Sequence, residues 1–244
     1  MSSVRTVVET GAREYARTPV LIGLFVFLPV YAVGLFSYIA PPDQATVDIA
    51  GVTVTTTLSA IVATMMAPMS AALVAGIAGL FLMQSSRGAD GRLVVAGYRP
   101  RDLVVGRLGL LLGVGVIVTG AAVGVLAVVE PPARLGPFLA ATLLVALIYG
   151  AVGALVGVVL GRLAGVYLLL FVPLVDLFLF QNPLAAERPT AAILLPSHYP
   201  MRAAMSTGLA ETTPVAAFGL SLVYLGMVAA VTIIAFYRAT RVTS

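Results

Sequence analysis

"PFLAATLLVALIYGAVGALVGVVLGRLAGVYLLLFVPLVDLFLFQ", residues Pro137 to Gln181, decides the fold. Its only charged residues are Arg162 and Asp176. Wound as one helix, the stretch would extend roughly 68 Å at 1.5 Å per residue. That is more than twice a hydrocarbon core of about 30 Å, so the chain must cross, turn and cross back. Gly161-Arg162 followed by Gly165 is the one polar, flexible point in the run. A tight turn at a membrane surface is therefore expected there, between spans at 138–160 and 164–180.

Working outward, four more apolar runs are long enough to cross. They lie at 19–40, ending on Pro41-Pro42, and at 58–83, 103–129 and 215–237. The expected fold is an all-α integral membrane protein, with one domain over 1–244 and six transmembrane helices. Composition agrees: 60% of residues are hydrophobic, 10% are charged and the mean hydropathy is +1.08. A soluble domain carries about 25% charged residues. The first apolar run begins near Pro19 and exceeds the roughly 7–15 residues of a secretory h-region, so it reads as a retained span.

The residue inventory excludes several chemistries. There is no cysteine, so disulfides and thiolate metal sites are out. One histidine cannot start a zinc or copper cluster. All fourteen basic residues are arginine. Without lysine the chain lacks the phosphate-binding side chain of a Walker A loop and cannot itself be a conventional P-loop ATPase. No metal site or cofactor is expected on this chain, and the positive charge reports topology rather than nucleic-acid binding.

Eleven of the fourteen arginines fall on one side of the six-span scheme: Arg5, Arg13, Arg17, Arg87, Arg92, Arg99, Arg101, Arg107, Arg162, Arg238 and Arg241. Only Arg134, Arg188 and Arg202 fall on the other. The positive-inside rule then puts both termini in the cytoplasm, with the protein multi-pass in the cell membrane.

Two cytoplasmic segments are patterned beyond what topology needs. In Ser3–Thr18, Val4, Val7, Val8, Gly11 and Tyr15 recur at helical spacing, while Arg5, Glu9, Arg13 and Arg17 repeat every four residues. This fits an amphipathic helix lying in the membrane interface; a plain solvated leader is the alternative. Between the second and third spans runs "RGADGRLVVAGYRPRDLVVGR", Arg87 to Arg107. Asp90 can cap a short helix of Arg92, Leu93, Val94, Val95 and Ala96, held between Gly88/Gly91 and Gly97. Arg99-Pro100 then forces an extended step before Arg101 and the third span. A topology-setting loop with no partner is the plainer reading of the same residues.

An amphipathic N-terminal helix, six spans and a loop reading "GRLVVAGYRPRDLVVGRLGLLL" together resemble the permease subunits of type-2 ATP-binding-cassette (ABC) transporters. In that family a short coupling helix in this loop precedes a Gly-x-x-Pro-like turn and docks on a separate ATPase subunit. The matching residues here are Asp90 to Ala96, then Gly97, Tyr98, Arg99 and Pro100. "VPLVDLFLFQNPL" (Val172–Leu184) followed by "LLPSHYPMR" (Leu194–Arg202) is similar to a proline-Asp-Gln-x-Pro pattern and later Leu-Pro turn of prokaryotic members. The resemblance covers nearly the whole chain as architecture, through diffuse motifs. It implies an exporter subunit that forms a path as a homo- or heterodimer in membrane lipid, with ATP and Mg²⁺ on partner ATPases. It also implies an external gate helix in the loop before the last span.

Within the spans, Asp176 is the sole acid. A charge at mid-bilayer costs about 2.5–3.5 kcal/mol on insertion scales. Asp176 is therefore expected either to contact substrate or coupling ions, or to serve backbone and hydroxyl groups near the outer surface; the second reading is favoured. Pro68 and Pro173 each remove a helix hydrogen bond. Met65, Met66 and Met69 flank Pro68 and suit either ordinary packing or an adaptable apolar path. Gly153/Gly157/Gly161, Gly109/Gly113 and Gly120/Gly124 form small ridges fit for close helix contact, within the subunit rather than at a dimer seam. "AAILLP", ending at Pro196, reads as a re-entrant or surface-lying segment. The rival functional reading is a stand-alone secondary transporter or channel coupled through Asp176. An intramembrane enzyme lacks the paired groups it would need.

Overall fold

The structure, a computed structural model, describes Gly23, Phe25 and residues 27–95, 100–185 and 190–241; for 86–95, 100–103 and 239–241 it describes the backbone alone. The expected interfacial helix, with Arg5, Glu9, Arg13 and Arg17, lies outside the described residues, as do Gly97, Tyr98 and Arg99 of the loop.

The chain is an α-helical multi-pass membrane protein. Helix α1 (Phe27–Ile39) is followed by a hairpin of β1 (Gln44–Ile49) and β2 (Val52–Thr57). Then come α2 (Leu58–Val95), α3 (Pro100–Val129) and α4 (Leu135–Val159). Helix α5 (Arg162–Phe180) is α-helical to Pro173 and π-helical from Leu174. A 3-10 turn (Thr190–Leu194), α6 (His198–Leu209) and α7 (Val215–Arg241) complete the fold.

Five of these helices carry segments long and apolar enough to cross a membrane: Leu58–Ser85, Val104–Val129, Leu135–Val159, Arg162–Phe180 and Val215–Arg238. Each agrees with its expected span to within a few residues. The expected first span at 19–40 is described as the shorter apolar helix Phe27–Ile39. The turn between the fourth and fifth spans falls where expected. Leu160 and Gly161 are extended, α5 starts at Arg162, and Gly165 N–H donates to the Gly161 carbonyl.

Helix α2 is the hub, with 94% of its best apolar window buried, against 22% for α7. Its sequence explains this. Apolar residues surround the whole cylinder, as in a helix with protein on all sides, and many are alanine, so neighbours come close. Against α4 the approach is closer still. A Cβ on Gly79 would lie 2.1 Å from the Gly150 oxygen, and one on Gly153 would lie 1.9 Å from the Gly76 oxygen. Glycine is required at both, because backbone meets backbone there. The remaining faces of α3, α5 and α7 carry exposed Leu, Val, Ile and Phe, suited to lipid.

The mostly helical fold carries one element not expected from the sequence: Gln44–Thr57 forms an antiparallel hairpin, with Asp48 facing Thr53 and Ile49 facing Val52. Its β-branched residues favour a strand, and Ala50 (φ 57°) and Gly51 (φ 86°) supply the two left-handed residues of a two-residue turn. Asp48 Oδ1 steadies that turn by accepting from Gly51 N–H at 3.0 Å. One expectation needs correction: no break separates a short helix from the second span. Backbone from Leu58 to Val95 is one helix, passing through Pro68, Gly88 and Gly91. A helix-interior glycine costs only about 1 kcal/mol, too little to end a long helix without a left-handed residue. The "AAILLP" stretch, expected to be re-entrant or surface-lying, contains a 3-10 turn (Thr190–Leu194) with Ile193 and Leu194 exposed and Ala192 buried, and the buried inserted helix of the same connection is α6.

Candidate functional site

Helix α6 is a half-span. Its Met201, Ala203, Ala204, Met205, Ser206, Thr207 and Gly208 are all buried, a run of mostly small side chains that lets it slot against α2 and α4. The tightest point is Gly208, where a Cβ would lie 2.6 Å from Thr64 Cγ2 and 3.1 Å from the Phe138 ring. A buried helix needs partners for the orphan groups at both its ends, and α6 has them.

At the N-terminal end the partner is Asp176. It is 2% exposed and sits in the π-helical stretch of α5, which starts directly after Pro173. Proline has no N–H for the preceding turn, and the stretch closes with a five-residue bond from Gln181 N–H to the Asp176 carbonyl at 3.1 Å. The carboxyl group accepts from four donors. Ser197 gives its backbone N–H to Oδ2 (3.1 Å) and its hydroxyl to Oδ1 (2.6 Å). The Tyr149 hydroxyl of α4 donates to Oδ2, and Gln181 Nε2 reaches Oδ1 at 3.4 Å. Ser197 is the residue immediately before α6, so the carboxyl group also faces the positive end of that helix dipole.

Gln181 widens the network. Its Nε2 also lies 3.3 Å from the Ala192 carbonyl, and its Oε1 is 3.1 Å from His198 Nδ1. Asp176 thus joins α4, α5, the 3-10 turn and α6 at one point.

The C-terminal end is held by main chain. Ala133 and Arg134 N–H groups donate to the Gly208 and Thr207 carbonyls, both at 2.9 Å, and Thr212 N–H donates to the Ser206 carbonyl at 3.2 Å. Arg134 Nη1 adds a bond to Thr213 Oγ1 at 2.8 Å. The hairpin lies at this same end of the bundle, where Ile49 and Ala50 share a small cleft with His198, Met201 and Arg202.

The opposite end has different chemistry. Gln84 Nε2 donates to the Leu160 carbonyl at 3.2 Å. Arg162 stacks over Phe81, 4.6 Å from its centroid, and Arg107 lies over Phe236 at 5.3 Å while donating to Met83 Sδ at 3.3 Å. Asp43, Asp48, Glu130, Asp176 and Glu211, the acids of the described residues outside the backbone-only segments, all belong to elements of the half-helix end.

Met65 and Met66 are buried and Met69 half-buried, all packed in the central core around α2. In this conformation they are packing residues beside Pro68. Pro173 is buried at the start of the π stretch, and Pro196 is half-buried next to Ser197. Asp90, Arg92, Leu93, Val94 and Val95 lie on the last turns of α2, while Pro100 and Arg101 open α3. The structure therefore brings together Asp176, Pro173 and Pro196, and places the loop residues at the far end of α2. Sequence reasoning singled out Asp176, and the proline-Asp-Gln-x-Pro resemblance includes Gln181, but neither pointed to Tyr149 or to Ser197 as a partner of the carboxyl group. The available signal was that a lone acid in a span must find donors, and only a fold pairs it with particular ones.

No protein-family model matches the chain, and no curated protein sequence matches it either.

Proposed function

We propose that the chain is the membrane-spanning subunit of an ATP-driven ABC exporter. Two such subunits, identical or related, form the path in the cell membrane with both termini cytoplasmic. Separate ATPase subunits hold ATP and Mg²⁺ and power the cycle; this chain carries no covalent chemistry.

One observation carries the reading. Helix α2 touches the half-helix at one end, where Thr64 meets Gly208, and continues unbroken to Val95 at the other. Its last ten residues, 86–95, extend about 15 Å past the apolar segment. They carry Arg87, Asp90 and Arg92 toward the arginine-rich loop. A stiff rod joining a polar docking segment to a buried external half-helix is what remote ATP-driven gating requires. Force applied by an ATPase at 90–101 would travel along α2 to the α6 contact.

The rival reading, ion coupling at Asp176, draws no support from its surroundings. Four protein donors already converge on the carboxyl oxygens, leaving little room for an ion.

The test is co-expression with an ATPase subunit carrying Walker motifs and affinity purification through this chain. Co-purification is expected, and the charge reversals Arg92→Glu and Arg99→Glu should reduce it at least tenfold. Unchanged association in the double variant would overturn the docking role. Transport by the chain alone in proteoliposomes, driven by an ion gradient and abolished by Asp176→Asn, would favour the rival.

A further inference from the structure

The two ends of α6 are held by different kinds of bond, and we infer that the half-helix is a hinged gate, pivoting at Thr207-Gly208 and latched at Asp176. The word gate rests on the transport reading above; the hinge and latch rest on geometry alone.

The pivot end is tied by main chain to main chain. Ala133 and Arg134 N–H groups hold the Gly208 and Thr207 carbonyls, and Gly208 is wedged between Thr64 and Phe138 with no room for a Cβ. These bonds do not depend on any rotamer. At the latch end, beside the His198–Gln181 bond, side-chain and main-chain donors converge on one carboxyl group. Removing Asp176 takes away the partner of the Ser197 N–H, the Ser197 hydroxyl and the Tyr149 hydroxyl at once. Gln181 loses one of its two acceptors for Nε2 in the same step.

The latch is mounted on a movable part. Leu174–Phe180 is π-helical, a winding that occurs as short stretches within α-helices and often at functional sites. Rewinding it as α-helix changes the angular step per residue and turns Asp176 away from Ser197. A movement of α5 could in this way release the end of α6 without breaking either helix.

The closed position also leaves polar groups unsatisfied. The Ser206 and Thr142 hydroxyls are buried without a hydrogen-bond partner among the described residues. Ser206 lies on α6 itself, and Thr142 is one turn along α4 from Phe138, which packs on Gly208. Buried unpaired hydroxyls are uncommon and call for an explanation. Swinging α6 outward would admit water to that face, so the same groups that are unpaired when closed would be hydrated when open.

Because the chain has no cysteine, single cysteines report this motion directly. Met201→Cys marks the latch side of α6 and Thr207→Cys the pivot; both positions are buried. Each is made in the full chain, in cells, and treated from outside with a membrane-impermeant maleimide. In the parent background both should label slowly. Adding Asp176→Ala should raise labelling of Met201→Cys at least tenfold while Thr207→Cys stays protected. Tyr149→Phe and Ser197→Ala, which each remove one donor, should give smaller increases at the latch side and none at the pivot. They keep the test alive should Asp176→Ala not fold.

Equal labelling gains at both positions would mean that α6 comes loose as a whole, and would overturn the hinge. No gain at Met201→Cys in any folded variant would overturn the latch. Neither result depends on an ATPase, so failure here and failure of ATPase association are separate outcomes.

Discussion

Two sets of glycines with similar spacing meet opposite fates in this molecule. In α4, Gly150, Gly153 and Gly157 face α2, and added Cβ atoms at Gly153 and Gly157 would come within 3 Å of its backbone oxygens. In α3, Gly113, Gly120 and Gly124 have open space where a Cβ would go. Gly120 and Gly124 instead border an apolar groove of about 450 Å³ shared with Pro29 and Val30 of α1. The expectation that such ridges pack within the subunit holds for Gly153 and Gly157, and not for Gly161, Gly113, Gly120 or Gly124, where a Cβ would meet open space. Four-residue spacing says that a helix can be approached closely; it does not say by what.

The comparison can be broken first at its tight member. Gly153→Val should cost the most of any change considered, above the about 1–3 kcal/mol typical of overpacking. The clash is with the Gly76 carbonyl rather than a movable side chain. Loss of the monodisperse peak in detergent gel filtration is the expected result, and Gly120→Val, as its counterpart, should keep the peak.

Asp176→Asn comes next. An amide offers one acceptor oxygen where the carboxyl group takes four bonds, so at least one buried donor loses its partner, at about 1–3 kcal/mol. A lower melting temperature in detergent is expected, and an unchanged one would mean that the network adds nothing to stability.

Arg162→Ala tests the turn on which the two-span reading of Pro137–Gln181 rests. It removes an exposed guanidinium stacked on Phe81, an interaction of about 0.5–1 kcal/mol, and should lower the melting temperature slightly without altering topology.

Gly120→Ala with Gly124→Ala should have the smallest effect on the isolated fold. Replacing helix-interior glycine by alanine is worth up to about 1 kcal/mol in favour of the helix. The informative readout is association: if the double variant melts as well as the parent but no longer forms a dimer by cross-linking, this groove is where a second subunit packs.

Much of the architecture was legible in residue order. The five long spans, the turn at Gly161-Arg162 and the charge asymmetry between bundle ends all follow from hydropathy and length, which act locally. The hairpin was missed because Gln44–Thr57 lies in a polar connector and turns on Ala50-Gly51, not on a common Asn-Gly pair. Nothing in residue order singles out α6 as the inserted helix, because its buried residues include Ser206, Thr207 and Gly208. Ile193 and Leu194 are apolar and exposed, whereas Ser206 and Thr207 are polar and buried. Inside a protein bundle, small size admits a helix as effectively as hydrophobicity does.

What the sequence by itself determined is where the chain is too apolar for water and where it must turn. Those properties belong to each segment alone, and the solvent reads them before any helix meets another. Only the tertiary structure decided which glycines are buried, and that Asp176 of α5, Tyr149 of α4 and Ser197 before α6 share one set of hydrogen bonds. Those facts depend on how helices distant in sequence come to lie side by side, and a pairing energy exists only once both partners are in place.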